Sequence, residues 1–353
     1  MKNKLHRLTH WISTHRTQTM IVGGLLIVAI SGGVTYAILS QPAPEPPKVS
    51  KPKPVVKPVV KHYSPLTGVE VKDESLTTKP VTAVMIENSP DARPQSGLKE
   101  AGIVFEANAE GGITRFVALY QEAEPELIGP VRSLRPYYLD WAAPFQASIA
   151  HVGGSAEALR DVRSGKYRDI DQFFNPNTYW RASDRYAPHN VYTNANRLAA
   201  LNKDKGYTSS EFTGFSRQDG KVVKEPDATS ITINLSSDLF NTSYTYDNAS
   251  NSYLRSLAGQ PHNDREKGQI NPSVVIALRV DQGGSYYQEI GTHGSGEAIV
   301  FQNGTATKVT WKKADRDSQL QFVDANDKPF ALNRGQTWIT ATPTSSKGSV
   351  TWQ

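Results

Sequence analysis

QASIAHVGGSAEALRDVRSG, residues 146–165, sets the fold class. Residues 146–152 are an apolar run of strand length. Gly153 and Gly154 permit a tight turn. Ser155 then caps a helix over AEALRDVR, and Gly165 ends it. A strand feeding a helix is an α/β signature. Outward from it, residues 81–87, 103–106 and 114–121 read as strands and 136–143 as helical. Asn194 or Asn196 opens a further helix that Gly206 closes. Residues 63–215 are therefore predicted to be an α/β domain. After about Ser216 the helical signal fades. Residues 231–235, 244–246, 252–257, 274–280, 285–290, 298–301, 307–311, 320–323 and 337–342 are short β runs. Asn303-Gly304 between two of them is a two-residue hairpin signal. Residues 216–353 are predicted to be a smaller, mostly antiparallel β domain, with Pro261-His262-Asn263-Asp264 in a polar loop.

Residues 20–39, MIVGGLLIVAISGGVTYAIL, carry no charge. Twenty helical residues span about 30 Å, the thickness of a bilayer core. Lys2, Lys4, Arg7 and Arg16 precede the run and no acid does, so residues 1–19 are expected to be a cytoplasmic basic tail. A cleaved signal peptide is the competing reading, but the run exceeds a typical apolar core and no A-x-A site follows. Residues 40–62 hold seven prolines and are expected to be an extended spacer. At 3.1 Å per residue, residues 41–62 reach roughly 70 Å.

The chain has 353 residues, 39 Lys+Arg, 34 Asp+Glu and no cysteine. Zero cysteines exclude a disulfide scaffold, a thiolate nucleophile, a lipidated cysteine and a cysteine-ligated metal. The pI near 9.1 suggests nucleic acid. Residues 1–62, however, hold nine of the basic residues and one acid, which leaves 30 basic against 33 acidic in the rest. A phosphate backbone needs the opposite sign, so no nucleic-acid partner is expected.

The densest chemistry lies in ENSPDARPQSGLKEAGIVFEANAEGGITRF, residues 87–116, and IGPVRSLRPYY, residues 128–138. Arg93, Arg115, Arg132 and Arg135, with Glu87, Asp91, Glu106 and Glu110, form an anionic-ligand pocket if they converge at strand ends. Structural ion pairs tying loops to the sheet are the alternative. His151-Val-Gly-Gly-Ser155 is reminiscent of a nucleophile elbow, but Glu157 stands where the final glycine belongs, and Ser155 reads better as a cap. Arg185, His189, His262 and Asp264 complete the candidates. The folded part has four histidines, His151, His189, His262 and His293. No H-x₃-H or H-E-x-x-H spacing supports a metal, and no cofactor is expected. Ser96-Gly-Leu-Lys99 matches the S-x-x-K of penicillin-type transpeptidases, yet no K-T-G accompanies it.

PLTG (65–68), ENSPDARPQSGL (87–98), EGGITRF (110–116), IGPVRSLRP (128–136), HVGGS (151–155), APHNVYT (187–193) and PHND (261–264) are long, ordered words. In them the chain resembles the YerB-like family, bacterial extracytoplasmic proteins of unknown function, many of them lipoproteins. The resemblance implies a layered α/β sandwich followed by a smaller β-rich part, and anchoring at the cell surface. A spanning helix stands here in place of the lipid. The family supplies no reaction, so the residues above are motif residues without assigned catalytic roles.

Three functions fit. The first is a membrane-tethered module binding a carboxylate-bearing wall component or an envelope protein through Arg93, Glu106, Glu110, Arg115, Arg132, Arg135, His151, Ser155, Arg185, His189, His262 and Asp264. The second is an envelope hydrolase or transferase acting on a glycan or phosphodiester, with Glu106 or Glu110 and His151, His189 or Asp264 as acid–base groups. The third is a structural spacer. The tether, the long spacer and the clustered arginines favour the first.

Overall fold

The computed structural model describes residues 2–40, 60–284, 288–345 and 347–353. Residues 41–59 of the expected spacer, and residues 285–287 of the run expected at 285–290, lie outside the described residues. The chain divides into two units, Met1–Val59 and Val60–Gln353.

The first unit holds two helices, α1 (Lys2–Thr14) and α2 (Arg16–Leu39). The charge-free run lies within α2, which begins four residues earlier than the run itself. No residue of α2 is buried, and it is long and apolar enough to cross a membrane.

The second unit is mostly sheet, with few helices. Its first part contributes β1 (Thr82–Glu87), β2 (Ile103–Glu110), β3 (Ile113–Tyr120), α3 (Pro136–Ala142), β4 (Ser148–His151), α4 (Ala156–Val162), β5 (Arg168–Asp171) and α5 (Ala195–Asp204). The second part contributes β6 (Ser230–Asn234), β7 (Thr242–Asp247), β8 (Ser252–Leu257), β9 (Gln260–Pro261), β10 (Val274–Val280), β11 (Gly294–Gln302), β12 (Thr305–Lys313), β13 (Gln321–Val323), β14 (Thr337–Pro343) and β15 (Ser349–Trp352). The local signals act as the sequence implies. Ser155 Oγ accepts from Ala158 N at 3.3 Å, and Asn194 Oδ1 accepts from Arg197 N at 2.9 Å. Asn303 and Gly304 take φ of 59° and 77°, the left-handed pair that a two-residue β11–β12 turn requires.

One mixed sheet of ten strands, in the order β13-β12-β11-β10-β14-β2-β3-β1-β4-β5, takes strands from both parts. Antiparallel pairing dominates the second part, as expected, but β14 lies parallel to both β10 and β2. All seven residues of β14, and all but Arg279 of β10, are buried. Strands covered on both faces lose the alternation that marks an antiparallel hairpin, which is why the sequence concealed this pairing.

The register sorts the core into two faces. Val300, Ile276, Ile339, Phe105, Val117 and Met85 form one cross-strand row. Tyr137, Tyr138 and Trp141 of α3 and Ala158 and Val162 of α4 join that row in one cluster. A row one residue displaced runs Phe301, Val275, Trp338, Val104, Ala118 and Val84. It clusters with Leu198 of α5 and with Ile231, Ile233, Tyr244 and Tyr253 of a second sheet, ordered β9-β8-β7-β6-β15. Each large apolar side chain so buried contributes about 1.5–3 kcal/mol.

Candidate functional site

Strands β1, β4 and β5 run parallel, so Glu87, His151 and Asp171 share the carboxyl end of this part of the sheet. The segment 130–134 lies across that end. Glu87 N donates to Pro130 O at 3.0 Å, Arg132 N to Met85 O at 2.9 Å, and Val152 N to Arg132 O at 3.1 Å. Arg132 is thereby wedged between the ends of β1 and β4.

There it meets a partly open cluster. His189 Nδ1 donates to Glu87 Oε2 at 2.9 Å, and Ser89 Oγ donates to Glu87 Oε1 at 3.0 Å. Arg132 Nε stands 3.3 Å from Glu87 Oε1. Ser89 Oγ is also 3.2 Å from His189 Nδ1, the nitrogen already committed to Glu87, so the three are not a serine triad. The other ring nitrogen, Nε2, lies 4.0 Å from the exposed Asp91 carboxylate. The side chains of Arg132 and His189 are 25% and 22% exposed. Among the described residues, the terminal nitrogens of Arg132 make no hydrogen bond.

Glu110 is held differently. Arg115 Nη2 reaches its Oε1 at 2.6 Å, and Arg135 Nε and Nη2 reach its Oε2 at 3.0 and 2.8 Å. Burial pushes the Glu110 carboxyl up, but the two guanidinium groups outweigh it and hold the group below its ordinary range. Arg135 also lines a cleft of about 540 Å³ with Asp140, Ser155, Glu157, His293 and Arg316. Within that cleft Arg316 reaches Asp140 at 2.5 Å, and it also reaches Asp161 at 2.7 Å.

His151 is fully buried under the glycine turn. Its Nδ1 faces Gly153 O at 2.7 Å and its Nε2 faces Asp169 Oδ1 at 3.0 Å, while Arg163 pairs with Asp171 at 2.8 Å. Ser155 remains a helix cap.

Glu106 and His262 belong to a sealed network. One terminal nitrogen of Arg255 forks onto Glu106 Oε1 and Oε2 at 3.1 and 2.9 Å, and Trp338 Nε1 donates to Oε2 at 3.0 Å. Arg255 Nε donates to His262 Nδ1 at 2.9 Å, which assigns the proton to Nε2, and Nε2 in turn donates to Gln95 Oε1 at 3.0 Å. Glu106 and Arg255 are 0% exposed. Residues 261–264, expected in a polar loop, instead run from β9 into a short hairpin that pairs Asn263-Asp264 with Gly268-Gln269, with His262 and Asp264 inside. Asp264 accepts from the backbone of Lys99, Glu266 and Lys267, and so ties that hairpin to the first part of the fold.

Burial, then Arg255 and Arg93, hold His262 well below its ordinary value. The unfolded histidine takes up a proton near pH 6.5, whereas the folded one resists it. This contribution to stability is fully present above about pH 6.5 and is lost as the pH falls toward the depressed folded value, at about 1.4 kcal/mol per pH unit. Urea unfolding at stepwise lower pH should show a flatter slope for His262→Gln than for the parent. Equal slopes would mean that folded His262 takes up its proton as readily as the unfolded chain does.

Arg93 donates to Asn88 O at 2.9 Å and Leu239 O at 2.8 Å, and Arg185 to Asp91 O at 3.1 Å and Pro94 O at 2.6 Å, so both work as loop ties. The twelve candidates thus fall in several places, not in one cleft. Arg132 and His189 come together, as do Glu110, Arg115 and Arg135, and Arg135 shares a cleft with Ser155. Glu106 is fully occupied and closed to solvent, which removes it from acid–base work on an external substrate. The sequence reading missed Arg255. Its signal was available: Tyr253, Arg255 and Leu257 alternate inward along β8, and an arginine in that register demands a buried acid.

Family models described as the N-terminal and C-terminal domains of a protein of unknown function, DUF3048, match residues 66–208 and 231–339. A Bacillus subtilis (strain 168) protein described as "Putative lipoprotein YerB" is 33% identical over 297 residues, 81% of this chain and 88% of its own length. The crystal structure of YerB from Bacillus subtilis superposes with a TM-score of 0.73 at 29% identity, covering 82% of this chain and 100% of that one.

Proposed function

We propose, from the premise that the chain belongs to the DUF3048 (YerB-like) family, that it is a membrane-tethered module of the cell envelope. Its folded unit works on the outer side of the membrane and binds a carboxylate-bearing wall fragment, or an envelope protein presenting the same group. The relative's description reads "Putative lipoprotein YerB". This chain has no cysteine to carry a lipid, and α2 supplies the hydrophobic attachment instead. The basic residues ahead of α2 favour an inside N-terminus. A layered α/β arrangement, with α3 and α4 on one face of the large sheet and α5 and the second sheet on the other, carries the site.

The observation that supports the binding site is Arg132. It stands at the carboxyl ends of parallel strands, where open α/β sheets take ligands. Its terminal nitrogens have no hydrogen-bond partner among the described residues, while Arg93, Arg115 and Arg185 spend theirs on the fold. A guanidinium so placed can fork onto an incoming carboxylate, and His189 Nε2, with the ring proton on Nδ1, can accept from a hydroxyl or amide of the same ligand. The ionised pair contributes about 1.5–3 kcal/mol, or roughly 10–150-fold in affinity. Retention of the detergent-solubilised protein on purified peptidoglycan fragments should fall by at least about tenfold in Arg132→Ala. It should persist in Arg197→Ala, whose side chain stacks on Trp180 elsewhere. Undiminished binding by Arg132→Ala would remove this site.

A further inference from the structure

The sequence reading treats residues 1–19 only as a basic tail, but the structure makes Lys2–Thr14 a helix of its own. At about 100° per residue, Leu5, Leu8, Trp11 and Ile12 fall within an arc of roughly 120°. All four are solvent-exposed, at 71%, 59%, 51% and 40%. His6, Thr9, His10 and Ser13 occupy the opposite side. Lys4 and Arg7 fall within or beside the apolar arc, where long basic side chains lay their stems on the apolar face and extend their charge outward. No acidic residue occurs before Glu45.

We infer that α1 lies flat on an anionic membrane surface, its Leu5/Leu8/Trp11/Ile12 face in the headgroup–acyl boundary, as an in-plane contact beside the spanning α2. The inference rests on the proposed membrane anchoring. Two observations choose lipid as the occupant of this face. First, the helix is basic without a single acid and carries a tryptophan on its apolar side, the pattern of an interfacial helix. Second, its position follows from α2. His15 breaks the helical geometry between the two helices, with φ −119° and ψ 39°. The charge-free run starts at Met20, about 7.5 Å further along at helical rise. The end of α1 is therefore within headgroup distance of the bilayer that α2 enters, while the His15 break frees it from continuing along the same axis.

The absence of cysteine makes the test clean, because one introduced cysteine takes one spin label. Full-length protein carrying the label at Leu8→Cys, Thr9→Cys, Ile12→Cys, Ser13→Cys or Ile27→Cys is placed in vesicles of phosphatidylcholine with phosphatidylglycerol, or of phosphatidylcholine alone. Collisions with a water-soluble nickel chelate and with oxygen are then compared. In the anionic vesicles, positions 8 and 12 should be at least about threefold less accessible to nickel than 9 and 13, and that contrast should shrink in the neutral vesicles. Adding Lys4→Glu and Arg7→Glu should expose position 8 and leave position 27 shielded. Equal accessibility at 8, 9, 12 and 13 in anionic vesicles, with 27 shielded, would overturn the in-plane helix and leave the anchor standing. Nickel access at 27 would instead overturn the anchor itself, and the inference with it.

Discussion

Arg255→Met is expected to destabilise the folded unit by about 3–5 kcal/mol. Arg255 and Glu106 are both 0% exposed, and the arginine also supplies the proton that His262 Nδ1 accepts. Removing it leaves Glu106 buried with Trp338 Nε1 as its nearest donor, at 3.0 Å, and an uncompensated carboxylate in a dry site is what makes such losses large. Equilibrium urea unfolding measures the effect. The double variant Glu106→Leu, Arg255→Met should be less damaged than the two single variants combined, because it leaves no orphan charge. If the single losses simply add, the pair is not the unit described here.

The second large effect concerns attachment. Leu26→Lys with Ile27→Lys puts two charges near the middle of α2. On an insertion scale each lysine costs about 2.5–3.5 kcal/mol where leucine or isoleucine gains about 0.3–0.6, so the swing is roughly 6–8 kcal/mol. The parent chain is expected to stay with membranes through an alkaline carbonate wash, and the variant to appear in the supernatant. A parent released by the same wash would show that α2 does not hold the protein in a bilayer.

Most local elements were legible because each has its own punctuation. The Ser155 and Asn194 caps, the glycines after α4 and α5, and the Asn303-Gly304 turn all act where they stand in the chain. The site was less legible, because its geometry depends on strands that meet only in space. Glu106 and Glu110 are an even number of residues apart and would share a face of a regular strand. A register shift between Asn108 and Glu110 breaks the alternation. Glu106 ends among Trp338 and Tyr244 on one side of the sheet, and Glu110 meets Arg135 at the start of α3 on the other. Their proximity in the chain therefore carried no information about a shared pocket. The motif words behave similarly: several of their polar residues bind backbone carbonyls of other loops, a role that composition does not separate from ligand binding.

The last long strand has a bearing on biosynthesis. β14 follows every other strand of the large sheet in the chain, yet it lies in the middle of that sheet, between β10 and β2. Until that stretch has docked, both of its neighbours present unpaired edges, each a template for wrong pairing. The large sheet therefore cannot close before its last strand is delivered, and until then its open edges favour misassembly. A frameshift a few codons before Thr337 would leave a split sheet instead of a shortened but usable protein.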